Sequence, residues 1–101
     1  LPLTIVLMNN NALGMVRQWQ KLFNDRRFSE IDNHNPLDYV DLCKAYKIEG
    51  ERISTLVELK DALTRRQTVE GPYFIEVVID QEEDVYPIVP PGKALNEYLD
   101  A

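Results

Sequence analysis

A run of apolar residues near the start of the chain leads through three asparagines directly into a helical pattern. The apolar run, residues 5–8, shows no polar alternation, which is typical of a parallel strand covered on both faces. Residues 9–11 are the asparagines that end this strand, and a helix is predicted over residues 12–23. Because open α/β sheets bind their ligands at the carboxyl ends of strands, we expect a site at this strand end.

Strands and helices alternate along the rest of the chain. A second helix is predicted to start with Asn35 as its cap and Pro36 in its first turn. A short strand is predicted over residues 48–53, a third helix from a capping box at Thr55, and a last strand over residues 73–79. The order β-α-α-β-α-β favours an α/β fold with three layers, α/β/α, around a parallel sheet.

The chain divides into two parts at residue 85. Because it opens almost at once into a strand and does not begin with Met, we interpret Leu1 as a cut point and expect an incomplete fold. Residues 1–85 form the predicted domain part, and residues 86–101 form a proline-rich tail that is either a linker or a strap over a neighbouring surface. Residues 80–84 contain four acids without EF-hand spacing, so we interpret them as a solvated acidic turn.

Charge and composition exclude several kinds of partner and site. The formal net charge is −6 and no stripe of lysines and arginines is present, so nucleic acid is not expected as a partner. The longest apolar run is far too short to span a bilayer, so no membrane partner is expected. Cys43 is the sole cysteine and His34 the sole histidine, which excludes an intrachain disulfide and a Cys/His zinc site.

The asparagines are the first candidates for chemistry. Amide oxygens at the end of a buried strand can ligate Mg²⁺, which prefers oxygen ligands and often combines them with substrate phosphates. Asparagines also commonly end strands and cap helices, and the spacing alone favours this structural role. Gly14 either lets the backbone approach a ligand or relaxes the first helical turn. Neither a dinucleotide fingerprint nor a P-loop is present.

An apolar ridge follows on the same predicted helix. Met15, Val16 and Trp19 have the spacing of core residues, and core packing is the interpretation we favour for Val16. The indole of Trp19 can instead offer a flat stacking surface at the mouth of a site.

Three segments together resemble one enzyme family. Residues 7–23, with the run Gly-Met-Val-Arg-Gln-Trp-Gln at 14–20, resemble the catalytic subunits of acetohydroxyacid synthases, also called acetolactate synthases. Residues 25–30 and 85–92 resemble the same subunits in the same order, so the resemblance covers nearly the whole chain. It places the chain in the C-terminal part of the thiamine-diphosphate-binding domain. The paired asparagines alone are shared by thiamine-diphosphate enzymes generally.

The resemblance implies a role for each residue at the strand end. Asn10 would give a side-chain oxygen to Mg²⁺, and Ala12 would give its backbone carbonyl. The cofactor-binding residues implied in this way are Asn10, Ala12, Leu13, Gly14 and Met15. The substrate channel would be lined by Met15, Val16 and Trp19. The resemblance implies no catalytic side chain within these residues.

The implied reaction joins two 2-keto acids. Pyruvate is decarboxylated on thiamine diphosphate, and the hydroxyethyl unit is ligated to pyruvate or 2-ketobutyrate, in branched-chain amino acid biosynthesis. The family also implies FAD bound outside this fragment, a homodimer or tetramer, and a regulatory small subunit. The compartment would be the cytoplasm of a bacterium or the plastid of a eukaryote.

The fragment lacks parts that this chemistry needs. The family's glutamate that activates the cofactor and the Gly-Asp-Gly half of its metal site both lie outside these residues. We therefore expect the isolated chain to be inactive and to expose apolar surface left by missing neighbours. Two other hypotheses remain at this point, namely another thiamine-diphosphate-dependent carboligase or oxidase, and a non-catalytic α/β interaction module.

Overall fold

The structure, a computed structural model, describes residues 1–34 and 36–101. Its elements follow the predicted order β-α-α-β-α-β. They are β1 (Thr4–Asn9), α1 (Gly14–Phe23), α2 (Tyr39–Ala45), β2 (Glu49–Ile53), α3 (Leu56–Arg66) and β3 (Tyr73–Val78). The predicted element order is therefore confirmed.

The three strands form one parallel sheet in the order β1-β3-β2. Tyr73 at the start of β3 lies opposite Thr4 of β1 and Glu49 of β2, so the first residues of the three strands are in register. Their carboxyl ends therefore meet at one edge of the sheet, where β1 continues into the asparagine loop. The register brings the predicted site to that edge.

Two helices cover opposite faces of the sheet. Ile75 of β3 and Ala62 of α3 are fully buried and form the core together with neighbours on the same face, namely Ile53, Leu59, Val69, Tyr73 and Val77. Glu76 points to the other face because side chains alternate along a strand. There it reaches Arg52, which also pairs with Asp38 in front of α2. The sheet between α2 and α3 confirms the predicted α/β fold with a parallel sheet.

The strand that is covered on both faces is β3, whereas the prediction assigned this place to β1. In this chain β1 lies at the sheet edge, and Ile5, Val6 and Met8 are 45%, 48% and 59% exposed. The reason is the strand order, since β3 inserts between β1 and β2 although it comes last in the chain. The expected exposure of apolar strand surface is thus present on β1.

The second helix begins later than predicted. Asn35 lies outside the described residues, so its predicted role as a cap has no structural description. The helix begins at Tyr39, and Asp38 caps it by accepting a 3.0 Å hydrogen bond from the Asp41 N–H. This bond is the main cause that lowers the pKa of Asp38, with Arg52 adding to it. The prediction that Pro36 lies in the first turn is wrong because Asp38 supplies the cap after it.

The acidic turn is exposed at Asp80, Glu82 and Glu83, as predicted, and it also pairs with bases of α1. Glu82 forms an ion pair with Arg17, and Asp84 pairs with Lys21 at 2.6 Å. Gln18 fixes the same segment by donating to the Val85 carbonyl at 2.7 Å and accepting from its N–H at 3.1 Å. This segment therefore lies on the polar face of α1.

The tail folds back on itself. Ile88 and Leu99 exchange two backbone hydrogen bonds of 3.0 and 2.8 Å, and Ile88 is buried. The proposed boundary between a domain part, residues 1–85, and a tail, residues 86–101, stays a prediction. Among the helices of the described residues, none has the length and apolar character needed to cross a membrane.

One cluster ties α3 to two strands. Glu51 of β2 accepts two hydrogen bonds from the Arg65 guanidinium of α3, and its carboxylate also accepts the hydroxyl of Tyr73. The Arg65 bonds are the largest cause that lowers the pKa of Glu51, and the Tyr73 bond lowers it further. Burial, followed by the Glu51 contact, raises the pKa of Tyr73, so its hydroxyl stays protonated and keeps donating.

This cluster predicts a specific acid sensitivity. Because the pKa of Glu51 is lower in the folded state than in the unfolded state, its stabilisation is complete above the unfolded pKa of about 4.3. The stabilisation is lost as the pH falls through the folded pKa. We expect the stability difference between the native chain and Glu51→Gln to be larger at pH 7 than at pH 3. Urea unfolding at both pH values measures this difference.

The exposed Glu49 on the same strand provides the matched control, Glu49→Gln. This substitution should change stability by less than about 0.5 kcal/mol at either pH. An equal effect of Glu51→Gln at pH 7 and pH 3 would contradict the role given to the ion pair.

Candidate functional site

The asparagine loop is shaped by two short hydrogen-bonded turns. The Asn9 side-chain oxygen accepts from the Asn11 N–H at 2.9 Å, and the Asn10 side-chain oxygen accepts from the Ala12 N–H at 3.1 Å. Asn11 has a φ of 54°, a left-handed conformation that asparagine tolerates better than most residues. The local sequence thus favours a tight reversal between β1 and α1.

A neighbouring segment holds this loop from one side. The Leu13 N–H donates to the Ile31 carbonyl at 2.8 Å, and the Asn33 N–H donates to the Asn11 carbonyl at 3.0 Å. Ile31 is buried, so the segment around it is itself anchored. The loop between β1 and α1 therefore has a defined conformation on both sides of Ala12.

A buried carboxylate fixes the first asparagine. Glu76 of β3 is 2% exposed and accepts from the Asn9 amide at 2.7 Å and from Arg52 at 2.8 Å. Because Asn9 donates to Glu76, its amide oxygen is left to accept the N–H of Asn11. Glu76 was not predicted from the sequence as a site residue. The sequence feature that could have identified it is its place as the single carboxylate within a nearly all-apolar strand. Carboxylates are seldom fully buried without a partner.

The loop brings Asn10 and Ala12 together. One hydrogen bond joins them, and the Asn10 side-chain oxygen keeps a second lone pair beyond it. Within residues 1–34 and 36–101, the Ala12 carbonyl oxygen accepts no hydrogen bond. Both oxygens are neutral, and both residues belong to a groove of about 440 Å³ that residues 7–13 line together with Asp32, Asn33 and Tyr39. Such oxygens suit a hard cation that also binds phosphate oxygens.

The start of α1 lies beside these oxygens. Gly14 is the first helical residue, and the helix has no side-chain cap among the described residues. The first N–H groups of a helix lack intrahelical acceptors and carry a partial positive charge, which favours an anion. Leu13 and Met15 flank Gly14 and are 59% and 50% exposed. Asn10, Ala12 and Leu13 thus line one groove, Met15 lines another, and Gly14 lies between them in sequence at the start of the helix.

The apolar ridge of α1 is open in this chain. Met15, Val16 and Trp19 line one groove of about 410 Å³, together with Gln20 and Asn24. Val16 is 47% exposed, so core packing of this residue is not found here. The buried residues of α1 are Arg17 and Gln18, which face the segment around Glu82 and Val85. Because this polar face is docked, the apolar face is left exposed.

The remaining titratable candidates stay outside the site. His34 is exposed, and Cys43 is half-buried on α2, where burial raises the pKa of its thiol and disfavours the thiolate. Among the described residues, no group of three or more His, Cys, Asp or Glu side chains is arranged to hold a metal.

A family model matches most of the chain. Residues 1–77 match the family described as thiamine pyrophosphate enzyme, C-terminal TPP binding domain. The chain is also similar to chain segments of solved structures. It superimposes with a TM-score of 0.69 and 25% identity on a Rhodococcus jostii thiamine diphosphate-dependent 4-hydroxybenzoylformate decarboxylase, over 78% of this chain and 15% of that one.

Curated relatives point to a narrower group. The chain is 43% identical over 100 residues to the acetolactate synthase isozyme 2 large subunit of Escherichia coli, which covers 99% of this chain and 18% of that protein. It is 37% identical over 99 residues to the mitochondrial acetolactate synthase of Schizosaccharomyces pombe, covering 98% of this chain and 15% of that one. The chain thus spans less than a fifth of the length of these relatives.

The contact between Asn9 and Glu76 yields a prediction about charge. Asn9→Asp places a second carboxylate beside the buried Glu76, and the pair resists ionising together. The folded-state pKa of one carboxyl is then raised above its unfolded value, so stability falls as the pH rises from about 4 towards 7. We expect a loss of at least about 2 kcal/mol at pH 7, measured by urea unfolding.

Asn11→Asp is the matched control, since Asn11 belongs to the same triplet but is exposed. Its effect should stay within about 0.5 kcal/mol. Adding Glu76→Gln to Asn9→Asp should remove the pH-dependent part of the loss. If Asn9→Asp were as stable as the native chain at pH 7, the description of Asn9 and Glu76 as a tight contact would be wrong.

Proposed function

The chain belongs to the thiamine pyrophosphate enzymes as a C-terminal TPP-binding domain, and we propose that it supplies one part of the cofactor site of an acetolactate synthase catalytic subunit. The observation that carries this proposal is the pairing of Asn10 with Ala12 at the carboxyl end of β1. The similarity of nearly the whole chain to acetolactate synthase subunits supports the choice of this enzyme within the family.

In this proposal the metal is Mg²⁺. The Asn10 side-chain oxygen and the Ala12 carbonyl oxygen are two neutral ligands, and cofactor phosphates supply further oxygens. The resemblance adds a carboxylate ligand from outside these 101 residues. The residues present fit the group because the two oxygens share one loop and the Ala12 oxygen has no acceptor role within the described residues.

The diphosphate is proposed to lie at the start of α1. Leu13, Gly14 and Met15 are exposed or half-buried there, and the free helix terminus favours an anion. When bound, thiamine diphosphate supplies the electron sink for decarboxylating a 2-keto acid.

The substrate channel is proposed to follow the apolar ridge. Met15, Val16 and Trp19 share one groove, and Met15 directly follows Gly14 in the chain, which supports placing the channel next to the cofactor. Apolar walls exclude water from a reacting centre, and the Trp19 ring offers a flat face to an acceptor. The 2-keto acids proposed as substrates are pyruvate and 2-ketobutyrate.

The wider assembly is also part of the proposal. A homodimer or tetramer of full-length subunits, a regulatory small subunit and FAD bound outside this chain are consistent with an acetolactate synthase. A bacterial cytoplasm or a eukaryotic organelle would be the compartment. The fission yeast relative is mitochondrial by name, which adds an organelle to the plastid considered from the sequence.

A hybrid subunit tests the proposed function. This chain replaces the matching segment of the Escherichia coli isozyme 2 large subunit, and acetolactate formation from pyruvate is measured with Mg²⁺ and thiamine diphosphate. We expect the hybrid to be active, and Asn10→Ala in it to lower activity at limiting Mg²⁺ by at least about 10-fold. The reason is that losing a direct ligand costs no less than losing an outer-shell partner.

Asn33→Ala is the control, because Asn33 lines the same groove and the substitution removes the same kind of side-chain amide. It should retain activity within about threefold, since its amide is given no ligand role. Full activity of Asn10→Ala would refute the proposed metal site. A folded hybrid that binds thiamine diphosphate but forms no acetolactate would instead favour another thiamine-diphosphate enzyme, and one that binds no cofactor would favour an interaction module.

A further inference from the structure

We propose that Gly14 is a positioning residue, whose missing side chain lets the Asn10 amide turn its oxygen towards the metal. This inference rests on the proposed function and adds a role for Gly14 that is separate from contact with the diphosphate. In it, Gly14 acts through Asn10 and does not need to touch the cofactor.

The space above Gly14 is filled by the Asn10 amide. A Cβ atom built on Gly14 would lie 2.8 Å from Asn10 Nδ2, 3.8 Å from its Cγ and 4.0 Å from its Oδ1. Separations below 3.0 Å are essentially never found around real Cβ atoms. The nitrogen end of the amide therefore occupies the volume that any other residue at position 14 would fill.

The two ends of the amide are held differently. Nδ2 packs over Gly14, while Oδ1 accepts the Ala12 N–H at 3.1 Å. A half-turn of the amide would bring its NH₂ group against the Ala12 N–H, and two donors cannot bond to each other. The loop therefore selects the orientation that leaves the second lone pair of Oδ1 for a ligand.

A methyl group at position 14 would disturb this orientation. It would displace Nδ2, the end of a flexible side chain, and because the amide group is planar and rigid, a rotation that moves Nδ2 also moves Oδ1 relative to the Ala12 N–H. Mg²⁺ demands near-ideal octahedral geometry at about 2.0–2.1 Å. A shift of a few tenths of an ångström in Oδ1 is therefore enough to weaken ligation.

The backbone itself does not require glycine here. Gly92 is the glycine with positive φ among the described residues, and Gly14 has no such conformation. Gly14 begins α1, where alanine has the higher helix propensity. Gly14→Ala is thus expected to leave the fold as stable or more stable while weakening metal binding. A purely structural role would instead lower stability and metal binding together.

The test uses the hybrid holoenzyme described above and four variants. They are Gly14→Ala, Asn10→Ala, the double variant, and Gly71→Ala, whose added Cβ meets nothing within 4 Å. Thiamine diphosphate affinity at fixed limiting Mg²⁺ is measured by calorimetry, and the melting temperature is measured without cofactor. We expect Gly14→Ala to weaken binding by about 10- to 100-fold with an unchanged or higher melting temperature, and Gly71→Ala to bind normally.

The double variant shows whether Gly14→Ala weakens cofactor binding through the Asn10 amide. With the Asn10 amide removed, Gly14→Ala should weaken binding by less than about twofold beyond Asn10→Ala alone. An additional loss of full size would overturn the inference, because Gly14 would then act on the cofactor directly. Normal binding by Gly14→Ala, or a lower melting temperature without cofactor, would overturn it as well. Normal binding by Asn10→Ala would instead overturn the proposed function.

A second measurement tests the geometry without any cofactor. In ¹⁵N-labelled 101-residue chain, the side-chain NH₂ resonances of Asn10 should shift on Gly14→Ala, whereas those of Asn33 should not. Unmoved Asn10 resonances in a folded variant would show that the methyl group does not reach the amide, and the inference would be wrong.

Discussion

The buried carboxylate of Glu76 is the constraint on which the candidate site depends. An ionised carboxylate only accepts hydrogen bonds, so it fixes which end of the Asn9 amide faces the sheet and which end faces the loop. Burying a charge is costly unless it is paired, and the Arg52 guanidinium supplies the partner on its other side. Glu76 of the central strand thus sets the orientation of the loop through Asn9, while the segment around Ile31 holds the loop by backbone hydrogen bonds.

The position of α1 follows from the same need of buried polar side chains for partners. Arg17 and Gln18 are buried against the segment around Glu82 and Val85, where Glu82 pairs with Arg17 and Val85 bonds Gln18, and this fixes which face of the helix stays open. That open face carries Trp19, whose ring packs edge-on against Phe23 at 6.0 Å. A helix anchored through its polar face is therefore able to offer its apolar face to a substrate or to another part of a longer protein.

The sequence predicted those features that depend on neighbouring residues. The element order, the capping box at Thr55 and the reversal at residues 9–11 all arise from local patterns, and each is present. The place of β1 at the sheet edge and the pairing of Glu82 with Arg17 depend on contacts between residues far apart in the chain. No local pattern encodes them, and so the buried strand was assigned wrongly and the ion pairs of the acidic turn were not predicted. At the site, the residue types indicated the chemistry, but the partner of Asn9 and the packing of Gly14 against Asn10 required coordinates.

We propose above all that Asn10 and Ala12 hold a magnesium ion that carries a diphosphate. A crystal structure of the hybrid subunit with Mg²⁺ and thiamine diphosphate tests this role most directly. We expect Asn10 Oδ1 and the Ala12 carbonyl oxygen at about 2.0–2.1 Å from the ion, with Asn10 Nδ2 still over Gly14. An ion bound elsewhere, or an Asn10 amide turned away from it, would contradict the proposed metal site.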